Sequence, residues 1–137
     1  HVLQKLGSEH VMVVHSEDGL DEISIASPTN VSELKNGTVM NYKITPEQYG
    51  FERRSLESLK VANSEQSLSL VYGALSGKNE KASDIVAFNA GAAIYVAGIA
   101  ASLANGVEMA RDAIGTGLAM EKMRDFTDFT QQVAVNG

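Results

Sequence analysis

The sequence has no cysteine and no tryptophan, only two prolines, and fewer cationic than acidic side chains: 11 Lys and Arg against 17 Asp and Glu, a formal charge of −6. Without cysteine there are no disulfides, no thiolate zinc sites and no cysteine nucleophile, which fits a reducing cytoplasm, the expected location. The shortage of Lys and Arg argues against a nucleic-acid partner, because neutralising phosphates needs clustered positive charge. Scarce proline and a charged content of 20% exclude a chain disordered throughout or collagen-like. A GxSxG elbow, an HExxH pair and a P-loop signature are missing too, so serine-hydrolase, zincin and Walker-type chemistry have nothing to rest on.

What is present suits one globular domain: 137 residues, 44% of them hydrophobic, can bury a real core. Residues 85–107 carry no charge and reach membrane-spanning length. They are mostly Ala and Gly, include Asn89, Ser102 and Asn105, and are interrupted by Gly98 as a stop and Ser102 as a start. Two buried helices are expected there, and no membrane. At the other end, HVLQKLGSEH starts without Met and reads as the close of an amphipathic helix, with Val2, Leu3 and Leu6 on one side and Gly7 as its stop. The expectation is the later part of a longer protein; no signal- or transit-peptide pattern shows at this end.

Along the chain, HVMVVH (residues 10–15) is a β-branched run with little alternation, which predicts a buried, parallel strand. After the turn SEDGLDE, the run EISIAS (22–27) alternates and predicts a second strand, with Ile23 and Ile25 on one face. Asn36 and Gly37, between NVSELK and TVMNYKI, suit the two positive φ angles of a tight antiparallel hairpin. TPEQYG predicts one helical turn, capped by Thr45, opened by Pro46 and stopped by Gly50. Four helices follow. The first spans 65–76, with Leu68, Val71 and Leu75 inward; the second spans 84–97, capped by Ser83. The third spans 103–114, capped by Ser102, with Leu103, Val107, Ala110 and Ile114 on one stripe. The last carries Leu118, Met120, Met123, Phe126 and Phe129 beyond an interrupting GTG at 115–117. Strands followed by helices suit the later part of a larger α/β domain.

The candidate chemistry is concentrated in SEDGLDE, where Glu17, Asp18, Asp21 and Glu22 follow the carboxyl end of the first strand, the place where open α/β sheets bind ligands. Such a loop is either an ordinary solvated acidic turn or a place where one or two carboxylate oxygens hold Mg²⁺ while water and a phosphate ligand take the other positions. His10 and His15 have an acid, base or ligand reading beside a structural one. Arg53 and Arg54 read as a surface pair. Asn89, in the most apolar helix, reads as a tie to neighbouring backbone.

The run VMVVHSEDGLDEISIASPT resembles anthranilate phosphoribosyltransferase, an enzyme family of tryptophan biosynthesis. YKITPEQYGF, SLESLK, AFNAGAAIYVAG and SLANGVEMARDAIGTGLAMEKM follow in the family's order and spacing, so the resemblance covers nearly the whole chain; Ser16 stands where the family usually has Gly. The resemblance implies the later portion of a nucleoside phosphorylase/phosphoribosyltransferase-like α/β domain. Residues 1–137 would form its carboxyl-terminal part, with the sheet portion in 1–45 and a mainly helical portion in 46–137. It implies a glycosyltransferase that moves phosphoribose from phosphoribosyl pyrophosphate to the amine of anthranilate, with Mg²⁺ as cofactor held by Asp21 and Glu22. The family's Gly-rich diphosphate loop, the Lys and His region after it and the Arg that helps hold anthranilate are not in this sequence, and the GTG at 115–117 is a decoy because it joins two helices. No catalytic residue is therefore assigned, and the chain by itself is expected to be inactive. A homo-oligomer, or association with an amino-terminal portion, is expected to cover the exposed sheet. The other readings are a non-catalytic metal-binding or scaffold module and a nucleoside phosphorylase-like enzyme.

Overall fold

Residues 10–44 form one antiparallel sheet in the order β1 (His10–Ser16), β2 (Thr29–Lys35), β3 (Thr38–Ile44). In this computed structural model the backbone is described for residues 1–136 and the side chains for residues 1–134. The β2–β3 hairpin turns at Asn36 (φ 51°) and Gly37 (φ 74°), which sets the register Lys35 opposite Thr38 and Thr29 opposite Ile44. Both turn residues lie in the left-handed region that Asn tolerates and Gly occupies freely.

Two strand expectations are overturned. β1 is not a parallel strand buried on both faces: it pairs antiparallel with β2, His10 opposite Lys35 and Ser16 opposite Thr29, and it is a half-exposed edge strand among the described residues. The alternation was hidden because apolar residues occupy both faces. Met12 and Val14 point to the core, whereas Val11 and Val13 line a shallow groove with Val2, Leu3 and Val39. Residues 22–27 form no strand. They cross under the helices as an irregular segment with Ile23, Ser24 and Ile25 all buried, because the backbone groups of Ile23 and Ser24 bond to side chains instead of a neighbouring strand.

The chain leaves the sheet through a 3₁₀ turn, Pro46–Tyr49, where Gln48 Oε1 accepts from the Thr45 N–H at 2.9 Å and Gly50 at φ 72° makes the stop. The helices are α1 (Val2–Lys5), α2 (Ser64–Leu75), α3 (Glu80–Val96), α4 (Leu103–Gly115) and α5 (Leu118–Asn136). α4 is as the stripe and cap predict: Ser102 Oγ accepts from the Asn105 N–H at 3.1 Å, and Leu103, Val107, Ala110 and Ile114 are buried. α3 starts four residues before the expected position because Asn79 caps it, accepting from the Ala82 N–H at 3.1 Å. The expected cap Ser83 lies inside the helix, its hydroxyl hydrogen shared between the carbonyls of Ala74 (2.8 Å) and Asn79 (2.9 Å). On α2, Leu68 and Val71 face outward and Ala74 is the buried residue. That helix meets α3 through small side chains: a Cβ at Gly73 would lie 3.1 Å from Asn79 Cβ. On α5, Leu118, Phe126 and Phe129 are exposed.

The core lies between the inner sheet face and the α3–α4 pair. Phe88 is its centre, with ring centroids 5.0 Å from Phe51 and 5.1 Å from Tyr49, surrounded by Ile23, Ile25, Val31, Ile44 and Val107. Closing that apolar surface is the main stabilising term. The chain passes from α3 to α4 between Val96 and Leu103, so the uncharged stretch is divided, and no described helix is long and apolar enough to cross a membrane.

Candidate functional site

The acidic turn is built by the end of β1. Ser16 N–H donates to the Leu20 carbonyl (2.9 Å), Gly19 N–H to the Ser16 carbonyl (3.0 Å) and Glu17 N–H to the Pro28 carbonyl (3.0 Å), closing a tight loop with Gly19 at φ 95°. The four carboxylates then divide into two kinds. Asp18 bonds back onto its own segment: its Oδ2 accepts from Ser24 Oγ at 2.6 Å and its Oδ1 from Leu20 N–H at 3.3 Å. Burial pushes its carboxyl up, but the hydrogen bonds from Ser24, Leu20 and Ser27 outweigh this and hold it below the ordinary Asp value. Glu17 is paired with Lys43. Both serve the loop's own structure.

Asp21 and Glu22 are the other kind. Both are exposed, and neither enters an ion pair among the described residues. Glu22, together with Asp18 and Leu20, borders an open cleft that Leu56, Lys60 and Asn89 also line. Among the described residues no group of three or more His, Asp or Glu converges on one point. Two adjacent, unpaired carboxylates with open space beside them match what Mg²⁺ requires of a protein: one or two hard oxygen donors, with the remaining positions left to water and phosphate. The donor set therefore fits the metal.

Beneath the loop lies a network of buried hydroxyls. Ser16 and Ser24 are fully buried and Thr29 nearly so. Ser16 Oγ donates to the Glu22 carbonyl at 2.7 Å, lies 2.6 Å from Thr29 Oγ1 and accepts from the Ser24 N–H at 3.0 Å. From the helical side, Asn89 Oδ1 accepts from Ile23 N–H (2.9 Å) while its Nδ2 donates to the carbonyls of Ile23 (2.8 Å) and Ile85 (2.9 Å). Asn89 is thus the backbone tie its sequence context indicated.

The other candidates separate from this site. His15 is exposed at the end of β1. His10 belongs to a cluster that the sequence reading missed, centred on Glu33, which is 3% exposed. Glu33 receives His10 Nε2 (2.8 Å), Tyr95 OH (2.8 Å) and Tyr42 OH (2.7 Å), and Lys35 Nζ donates to Tyr95 OH at 2.9 Å. The available signal was the period of β2, which puts residue 33 on the same face as Val31. Arg53 pairs with Glu47 at the surface as expected, while Arg54 bridges Glu52 and Glu80 and its N–H donates to the Ile25 carbonyl. Residues 115–117 connect α4 to α5, with Gly117 at φ 84°, and follow no strand.

The fold agrees with what comparison with known proteins finds. Residues 1–120 match the model of the glycosyl transferase family, a/b domain, and the chain belongs to that family. It is 58% identical over 134 residues to the anthranilate phosphoribosyltransferase of Cellvibrio japonicus (strain Ueda107), covering 95% of this chain and 39% of that protein. To the anthranilate phosphoribosyltransferase of Marinomonas sp. (strain MWYL1) it is 58% identical over 132 residues, covering 95% of this chain and 38% of the relative. The chain thus spans about two fifths of the length of these relatives. The crystal structure of anthranilate phosphoribosyltransferase from Thermus thermophilus superposes with a TM-score of 0.83 at 35% identity, over 94% of this chain and 38% of that one. The Saccharomyces cerevisiae anthranilate phosphoribosyltransferase in complex with PRPP and Mg shares the fold, with a TM-score of 0.73 at 22% identity over 87% of this chain and 34% of that one.

Proposed function

We propose that this chain is part of an anthranilate phosphoribosyltransferase, which transfers phosphoribose from phosphoribosyl pyrophosphate to anthranilate in tryptophan biosynthesis, and that Asp21 and Glu22 are its contribution to Mg²⁺ binding. The observation that carries this reading is the pair of unpaired, exposed carboxylates in the loop beyond β1 of a chain 58% identical to such an enzyme. Bound there, Mg²⁺ supplies positive charge that stabilises the diphosphate as it leaves the ribose. The chain's own part is to present two carboxylates on an anchored loop, Glu22 at the edge of the cleft, while the neighbouring Asp18 and Glu17 are occupied with Ser24 and Lys43. The resemblance implies that the Arg that helps hold anthranilate lies in the portion of the relatives that this chain does not span, and no residue here is assigned to that task.

The reading is tested with a chimera in which this chain replaces the matching 134 residues of the Cellvibrio japonicus enzyme. The expected result is anthranilate-dependent release of pyrophosphate and growth of a tryptophan auxotroph lacking the enzyme. A folded chimera that releases none, or that prefers a nucleobase as acceptor, contradicts it.

A further inference from the structure

We propose that Asn89 and Ser16 are positioning residues for the Glu22 carboxylate, fixing the peptide that follows it from two separate elements; this rests on the metal-binding reading of Asp21 and Glu22. The carbonyl of Glu22 and the N–H of Ile23 belong to one planar peptide unit. Ser16, at the end of β1, holds the carbonyl at 2.7 Å, and Asn89, on α3, holds the N–H at 2.9 Å. A peptide plane gripped at both polar ends cannot rotate, so the Cα of Glu22 is fixed and only its side-chain torsions remain free beside the cleft.

Each anchor is itself oriented without ambiguity. The Asn89 amide gives one N–H to Ile23 and the other to Ile85, so its oxygen must be the atom facing the Ile23 N–H. Ser16 has a single hydroxyl hydrogen, and the Glu22 carbonyl, which can only accept, takes it. Thr29 must therefore donate to Ser16 Oγ, which also accepts from the Ser24 N–H, and the hydroxyl's capacity is filled. Both anchors lie away from bulk water, Ser16 wholly and Asn89 in part, where hydrogen bonds lose less to solvent competition. Fixing the backbone before the ligand arrives removes part of the ordering cost of binding.

The test is Mn²⁺ titration of the 137-residue chain, followed by paramagnetic broadening of backbone amide resonances, with Mn²⁺ standing in for Mg²⁺ as a hard, oxygen-seeking cation. In the natural sequence, broadening is expected to start at residues 20–24. In Asn89→Ala the midpoint should rise by about tenfold, the scale on which outer-shell partners act, while the resonances of the β2–β3 hairpin and α4 keep their positions. Ser16→Ala provides a second variant should Asn89→Ala fail to fold, and its midpoint should rise as well. A merely structural role would lower the melting temperature and leave the Mn²⁺ midpoint where it was. That result in folded variants overturns the inference while the metal reading stands. Natural-sequence spectra without selective broadening at 20–24 overturn the metal reading and the inference together, so the two failures are distinguishable.

Discussion

Gly106 of α4 lies directly against Gly91 of α3: a methyl carbon at position 106 would stand 2.2 Å from the Gly91 carbonyl oxygen, and one at position 91 would stand 2.6 Å from the Val107 nitrogen. Neither neighbour is the yielding end of a side chain. The two helices touch backbone to backbone, and this contact sets the position of α3, from which Asn89 reaches the acidic loop. Gly106→Ala is expected to force the pair apart and to cost about 1–3 kcal/mol, the range for overpacked sites. Gly115, with open space where its Cβ would be, is the control: Gly115→Ala should be neutral or stabilise by about 0.5 kcal/mol. Urea denaturation of the two variants checks the contrast, and equal stabilities would refute it.

Glu33 gives a pH dependence of known sign. Burial pushes its carboxyl up, but hydrogen bonds from Tyr42, His10 and Tyr95 and the charge of His10 outweigh burial and hold it below the ordinary Glu value. A carboxyl lowered on folding contributes stability that is complete above the unfolded pKa, roughly 4.3, and is lost as the pH falls through the lower folded value. Glu33→Gln should cost about 1–3 kcal/mol at neutral pH and should flatten the loss of stability on acidification. Denaturation midpoints measured from neutral pH down to roughly pH 3, across the reference Glu value, test this. Parallel curves for the two proteins would assign the acid sensitivity to other groups.

For the chain by itself, the expectation is association without transfer. β1 offers a sheet edge that pairs with nothing among the described residues, Val13 is exposed there, and Leu118, Phe126, Phe129 and Val133 are exposed along α5. Edges and apolar patches of this kind favour self-association. Sedimentation at micromolar concentration is expected to show an oligomer, and a stable monomer would refute it. Purified chain supplied with both substrates and Mg²⁺ is expected to form no product, because orientation of two substrates is a large share of catalysis; measurable turnover would contradict this.

The parts of the fold legible in the sequence are those governed by local rules. Asn36 and Gly37 mark the hairpin, Ser102 and the Leu103–Ile114 stripe mark α4, and Thr45, Pro46 and Gly50 mark the 3₁₀ turn, since each follows from backbone torsion or capping within a few residues. Residues 22–27 misled because Ile23 and Ile25 alternate as in a strand, while the hydrogen bonds that decide the conformation come from the side chains of Ser16 and Thr29, on the strands that flank the segment, and of Asn89, which is distant in sequence. β1 misled because valines occupy both of its faces. At the site, position along the chain separated the acidic turn from the rest of the molecule, but no local rule tied Asp18 to Ser24 and left Asp21 and Glu22 without an ion pair among the described residues. Glu33 was overlooked because a charged residue in a strand ordinarily faces solvent, and its three partners come from β1, β3 and α3.

The central claim, that Asp21 and Glu22 hold the Mg²⁺ used in phosphoribosyl transfer, is tested most directly by Mg²⁺ titration of pyrophosphate release in the chimera with the Cellvibrio japonicus enzyme, comparing the natural loop with Asp21→Asn/Glu22→Gln. The neutral pair keeps the size of the side chains but loses the charge that attracts the cation. The expected result is a lower maximal rate and a Mg²⁺ midpoint raised at least about tenfold, the lower end of what disturbing a metal's support costs. A titration curve that superposes on that of the natural sequence, at the same maximal rate, would contradict the claim.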